Sequence, residues 1–200
     1  MDDLSLERIR VLLTRIDRLM AERERVIVAV DGGSASGKTT LGELLQSVYA
    51  CPVFHMDDFF LRPEQRTPER FSEPGGNVDC ERFLSEVLLP LRQGKAVDYR
   101  RFDCASFTIA PPCRIEPGKL NIVEGAYAMH PDLAPYYDLT VFLAISPEKQ
   151  RERILKRNAP AKAEQFFTRW IPFEQRYFAA LGVPERCDLI LSGDDQTSVP

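Results

Sequence analysis

The five cysteines, Cys51, Cys80, Cys104, Cys113 and Cys187, are scattered and form no C-x-x-C pair. The spacing that zinc or thioredoxin-type chemistry needs is therefore missing. Histidine is scarcer still: His55 and His130 are the two, and neither stands beside a cysteine in the sequence, which sets thiol catalysis aside. There is no basic excess, since the formal net charge is −4, so the balance does not point to a nucleic-acid groove. No apolar run approaches the roughly 20 residues of a membrane span. The charged start, Met-Asp-Asp, has no apolar signal region. With an odd number of thiols expected to be free in a reducing compartment, these absences place the protein in the cytoplasm. Internal repeats and low-complexity tracts are also lacking.

What is present is an ordinary globular composition, 44% apolar and 28% charged, in a 200-residue chain suited to one well-buried domain. Residues 4–22 predict an amphipathic helix, with Leu6, Ile9, Leu13, Ile16 and Met20 at steps of three and four. Val26–Val30 is a β-branched run of a strand buried on both faces. Further strands are predicted at Pro52–Met56, Leu120–Val123, Leu139–Ile145 and Asp188–Leu191. Helices are predicted around Leu41–Val48 and Phe83–Leu91 (with Asp79 as N-cap), after Ser146-Pro147, and along the aromatic stripe Phe166, Phe167, Trp170, Phe173 and Tyr177. This alternation predicts an α/β fold, a parallel sheet of about five strands with helices on both faces. Proline and glycine make 57–78 a long loop, and 96–118 holds a candidate hairpin. The expected organisation is an N-terminal helix (1–24) packed on a single domain (25–200), with acceptor-site loops at 57–78 and 96–118 and a short lid at 150–165.

Gly32-Gly33-Ser34-Ala35-Ser36-Gly37-Lys38-Thr39 fits G-x-x-x-x-G-K-[ST] between a strand and a helix. Such a loop turns its N–H groups and the helix's positive end toward phosphate. Lys38 would neutralise the β- and γ-phosphates of a nucleoside triphosphate, and Thr39 would offer a hydroxyl to Mg²⁺. A GTPase would need N-K-x-D, which is absent. The Leu191-Ser192-Gly193 echo of an ABC signature lies after every candidate acidic strand end, so that reading is discarded.

A small-molecule kinase needs a base, a metal shell and mobile positive charge. Asp57, in His55-Met56-Asp57-Asp58-Phe59-Phe60, falls just past a strand's carboxyl end, where ligand crevices open. It can take the acceptor's proton and help hold Mg²⁺. Asp58 is the weaker candidate. Glu124 ends an apolar strand before Gly125, as a Walker-B-like carboxylate does. Arg153 and Arg157, four apart, share a helix face that could cover the transferring phosphate. Arg151 fits a solvated face better.

At these residues the chain resembles the uridine kinase family, within the group that holds phosphoribulokinase, pantothenate kinase and nicotinamide riboside kinase. Gly32–Thr39 with Thr40 is similar to the family's phosphate loop. Asp57-Asp58-Phe59-Phe60 is similar to its Asp-x-Phe-Tyr element, and Val123-Glu124-Gly125 to its strand-end Glu-Gly. The resemblance implies further roles. Asp57 is the base and Phe60 lies by the acceptor. Asp79 of Asn77-Val78-Asp79 grips ribose hydroxyls, and Phe102-Asp103 lies beside the nucleobase. Arg153 and Arg157 are lid arginines, and Gln165 is close to the base. The sequence departs from the family at Cys80-Glu81, where His-Pro is usual, and near Phe107, where a pyrimidine-reading histidine falls. The expectation is MgATP-dependent phosphorylation of a uridine- or cytidine-like nucleoside, with loose base discrimination. Nicotinamide riboside, pantothenate and a sugar acid are the alternative acceptors. A nucleotide-binding regulatory protein is the alternative outside catalysis. A small-molecule partner is expected, without nucleic acid or membrane, and homo-oligomerisation is left open.

Overall fold

The computed structural model describes residues 3–192 and 194. The strands in chain order are β1 (Val26–Gly32), β2 (Val53–His55), β3 (Val97–Tyr99), β4 (Phe102–Asp103), β5 (Thr108–Ile109), β6 (Cys113–Ile115), β7 (Leu120–Glu124), β8 (Leu139–Ala144) and β9 (Leu189–Ser192). Five of them form one parallel sheet in the order β2-β7-β1-β8-β9, as the alternating pattern predicts. β1 is central and every one of its residues is buried. Its side chains alternate: Val26, Val28 and Val30 enter one apolar cluster, Ile27 and Ala29 another on the opposite face. A β-branched run suits this place because both faces of the strand are dry. Residues 96–118 hold two antiparallel pairs, β3 with β6 and β4 with β5, where one hairpin is expected.

The first face is covered by α1 (Asp3–Glu22) and α2 (Lys38–Tyr49). α1 docks with Leu12 and Ile16 fully buried, and Leu13, Leu19 and Met20 partly so. The buried stripe is thus rotated from the predicted one toward Leu12, because α1 lies against β9 and β1. The Tyr49 hydroxyl, donating to Asp17 at 2.8 Å, ties α2 to α1. The side chain of Leu6, with residues 1–2, 193 and 195–200, lies outside the described residues.

The segment 57–78 is not the bare loop that its prolines predict. It carries α3 (Pro68–Ser72), which starts at Thr67, whose side chain accepts from the Arg70 N–H. The second face is covered by α4 (Cys80–Phe83) and α5 (Leu89–Arg92), joined by the wide π-type turn Leu84–Leu88. α6 (Pro147–Arg157), α7 (Pro160–Gln165), α8 (Ile171–Leu181) and α9 (Val183–Arg186) complete the chain. A second wide turn, Phe166–Trp170, precedes α8. Each wide turn leads into a proline, Pro90 or Pro172, whose missing N–H breaks the regular helical ladder.

Candidate active site

The carboxyl ends of β1, β2 and β7 point to one edge of the sheet, where open parallel sheets bind ligands. A cavity of about 760 Å³ opens there. Its lining includes Ser34, Ala35, Gly37, Lys38, Thr39 and Thr40 of the phosphate loop, with Asp57, Glu124, Arg153 and Arg157. The expected phosphate loop, base, strand-end carboxylate and two arginines thereby share one space.

The loop leaves β1 through Gly32, at φ 150°, where a Cβ would stand 2.4 Å from the Leu143 carbonyl oxygen. Gly37, at φ 102°, turns the chain into α2 in a conformation costly for other residues. Lys38 Nζ donates to the Gly33 carbonyl at 2.9 Å. Ser36 is fully buried, and its hydroxyl has no partner among the described residues. That orphaned hydroxyl and the arriving helix N-terminus fit a phosphate.

Thr39 Oγ1 lies 3.3 Å from Glu124 Oε1, which also meets His55 Nδ1 at 2.6 Å. The bond to Glu124 raises the His55 pKa above its ordinary value, against the effect of burial. One hydroxyl and the carboxylates Glu124 and Asp57 make a hard oxygen donor set, the chemistry that Mg²⁺ takes. Asp57 and Asp58 differ sharply. Asp58 accepts from the Tyr99 hydroxyl at 2.7 Å and pairs with Arg101 at 3.3 Å. The Asp57 carboxylate has no hydrogen-bond or ion-pair partner among the described residues. Crowding by protein atoms pushes its pKa up; Lys38 opposes, Glu124 and Asp58 add, and His55 opposes. Its side chain still faces the open cavity and is exposed by surface area, so solvent limits that rise.

Four groups of the site carry no motif. Glu174 on α8 accepts from both the N–H of Ser34, at 2.9 Å, and its hydroxyl, at 2.5 Å. Gln150 on α6 donates to the Ser34 carbonyl at 2.9 Å. Lys149 and Lys156 line the cavity beside Arg153 and Arg157. Arg153 donates to the Ala35 carbonyl at 3.1 Å, and Arg157 lies over Phe166 at 5.4 Å. Helical spacing from Arg153 could have found Lys149 and Lys156. Nothing local marks Glu174. Behind the loop, Asp31 is fully buried and accepts from the N–H groups of Gly32 and Met129 and from the Tyr177 hydroxyl. Burial pushes its pKa up to about 6 despite those bonds.

The acceptor-side residues are less gathered. Asp79 is buried and caps α4, accepting from the Arg82 N–H at 3.1 Å, and it pairs with Arg62 at 3.1 Å. The N-cap expectation therefore holds. Phe60 packs 6.3 Å from Trp170, and Phe102 lies 6.3 Å from Phe107, which is exposed at φ 57°. The Arg66 guanidinium covers Phe102 and Phe107 at 5.4 and 4.8 Å. Gln165 is exposed at the end of α7 and does not line the cavity. Away from the site, the fold brings His130 Nε2 within 4.0 Å of Cys80 Sγ, a pairing invisible in sequence. Burial pushes that thiol up to about 12, so it stays protonated and unreactive.

A model of the phosphoribulokinase/uridine kinase family matches residues 27–162, from β1 through the cavity's arginine helix. The chain belongs to this family. Its phosphate loop and five-stranded parallel sheet are those of the family's P-loop domain. The chain is 31% identical over 143 residues to the uridine kinase of Chloroflexus aurantiacus, covering 66% of this chain and 68% of the relative. It is 29% identical over 164 residues to uridine kinase-like protein 3 of Arabidopsis thaliana, covering 74% of this chain but 35% of that relative. The chain thus spans about a third of the Arabidopsis protein's length. A solved structure of a possible uridine kinase from Bacillus stearothermophilus shares the fold at TM-score 0.65 and 22% identity, covering 90% of this chain and 98% of that one. Among the described residues, no helix is long and apolar enough to cross a membrane.

Proposed function

We propose that the chain transfers the γ-phosphate of ATP to a hydroxyl of a small, nucleoside-like acceptor, uridine or cytidine in the first instance. The observation that carries this reading is Asp57: a carboxylate without a hydrogen-bond or ion-pair partner among the described residues, in the same cavity as Lys38, Thr39, Glu124, Arg153 and Arg157. Its neighbouring carboxylates are already paired. Asp57 takes the proton as the acceptor oxygen bonds to the γ-phosphorus, and the bond to the β-phosphate oxygen breaks to leave ADP. A raised pKa makes it a better base as long as it is ionised at working pH. Lys38 exchanges the Gly33 carbonyl for phosphate oxygens, and Arg153 and Arg157 meet the charge spread over the moving group. Thr39, Glu124 and Asp57 would hold Mg²⁺, which supplies charge neutralisation on the phosphates. Glu124 keeps its orientation through His55. Asp79, by this reading, orients the sugar from the base of α4 beyond its cap.

The names of the relatives support a nucleoside acceptor. A second reading, an anionic alcohol such as a sugar acid, draws on Arg66. It forms no ion pair among the described residues and lies over the Phe102 and Phe107 rings, a cation available to a carboxylate. The two readings separate in one assay. ADP release is measured under saturating MgATP with uridine, cytidine, nicotinamide riboside, pantothenate and glycerate in turn. Turnover on uridine and cytidine, within about tenfold of each other as one missing neutral hydrogen bond allows, supports the first reading. Turnover confined to glycerate or pantothenate sinks it. Slow hydrolysis indifferent to every acceptor would favour a nucleotide-binding regulator.

A further inference from the structure

The phosphate loop is gripped at one residue by two helices that the phosphate motif does not mention. The Ser34 N–H and hydroxyl are held by Glu174 of α8, and the Ser34 carbonyl by Gln150 of α6. Both gripping side chains are buried, Glu174 at 5% and Gln150 at 9% exposure, and this is unusual for such residues. Gly33 supplies an independent sign that the contact is built. The motif accepts any residue at this position, and no left-handed backbone requires glycine here. A Cβ on Gly33 would nevertheless stand 3.0 Å from Gln150 Nε2 and 3.7 Å from Glu174 Oε2. A side chain there would press on Gln150, which would have to give by a few tenths of an ångström, and would rest against Glu174.

The same helix α6 carries Arg153 one turn after Gln150 and Arg157 a turn later, and Arg153 donates to the next loop carbonyl, Ala35. The loop that holds the phosphates and the helix that brings the arginines are thus joined at Ser34 and Ala35. A buried carboxylate so near the phosphate site is electrostatically unfavourable for a triphosphate, and burial already raises its pKa while Lys38 lowers it. Such a group is retained for what it positions.

We propose that Glu174 is a positioning residue for phosphoryl transfer, locking Ser34 so that Arg153 and Arg157 stand over the γ-phosphate. This rests on the kinase reading, but its test needs no acceptor. ATP and ADP differ by the γ-phosphate, so the preference for ATP over ADP reports the arginines' engagement. The fluorescent analogues mant-ATP and mant-ADP are titrated with Mg²⁺ into the wild type, Glu174→Ala and Glu174→Gln, with thermal unfolding measured alongside. Glutamine can accept from the Ser34 N–H and donate to its hydroxyl, which preserves the geometry without the charge.

The expected result is a loss of about tenfold in ATP-over-ADP preference in Glu174→Ala, the size of one charge-assisted contact, with restoration in Glu174→Gln. Gly33→Ala, which crowds Gln150 and leaves Glu174 at contact distance, should give a smaller loss than Glu174→Ala. The proposal is overturned if the preference is near one in the wild type or unchanged in the variants. It is equally overturned if both nucleotides weaken alike together with a fall in Tm, or if Glu174→Gln behaves as Glu174→Ala. A wild type that binds neither nucleotide would instead overturn the kinase reading itself.

Discussion

On the phosphate side of Asp57, the backbone groups shaped to cradle phosphate come from one continuous stretch, Gly32–Thr39, between a buried strand and a helix, and the side chains of β7, α6 and α8 gather around it. On the acceptor side they come from the separate segments 57–79, 99–109 and 165–173, and most of their polar groups bond to one another. Asp58 is spent on Tyr99 and Arg101, and Asp79 on Arg62 and Arg82. The difference has a physical cause. A triphosphate is recognised by backbone N–H groups whose direction the chain path sets, so a short motif suffices. A small alcohol is recognised by side chains converging from several elements, and their placement follows packing rather than spacing.

The sharpest way to break this contrast is to exchange the roles of Asp57 and Asp58. Asp57→Asn is expected to cut kcat by about 10²–10⁴, the usual size of a general-base contribution, with ATP affinity nearly unchanged. Asp58→Asn should cost far less in kcat, since its carboxylate is anchored by Tyr99 and Arg101. Reversed sensitivities in steady-state kinetics would move the base to Asp58.

Lys38→Ala tests the donor half alone. It should lower turnover by about 10²–10³, as expected for removing one electrostatic stabiliser of the transition state, and weaken MgATP binding as well. Near wild-type phosphorylation would remove the phosphate-loop assignment.

Asp79 lies on the boundary between structure and recognition. Asp79→Ala removes one carboxylate from Arg62 and from the buried Arg82, which keep Glu64 and Glu86, and uncaps α4; it should destabilise the fold by about 1–3 kcal/mol. Asp79→Asn keeps a capping side chain. In that variant a raised acceptor KM, equal for all nucleosides, would show a grip on the shared sugar. An unchanged KM in a folded Asp79→Asn protein leaves the residue as a cap alone.

The remaining test concerns Asp31, which binds β1 to Tyr177 behind the loop. Its pKa is raised from the ordinary 3.8 to about 6, so between those values the folded state holds more protons than the unfolded one. Stability from this group is therefore full below about pH 4 and is lost as pH rises through 6. A rise of that size is worth about 3 kcal/mol in the fully buried case. Urea unfolding at several pH values should show this slope in the wild type and not in Asp31→Asn; identical slopes would mean Asp31 keeps an ordinary pKa.

Local pattern by itself determined the parallel sheet, the phosphate loop and the carboxylate-bearing ends of β2 and β7. Each rests on near neighbours: β-branched runs, glycines at set intervals, an acid following an apolar strand. The Asp79 cap and the existence of α1 were legible for the same reason. Tertiary structure alone decided which face of α1 is buried, because Leu12 and Leu13 are equally apolar and the choice belongs to β9 and β1. It also decided that Asp57 is unpaired while Asp58 is not, since Tyr99 and Arg101 arrive from a hairpin some forty residues away. Glu174 is the extreme case. Its partner Ser34 is 140 residues distant, and a lone glutamate on a helix carries no sign of what it will touch. Contacts of that kind arise when helices pack against the sheet edge, and no spacing rule along the chain encodes them.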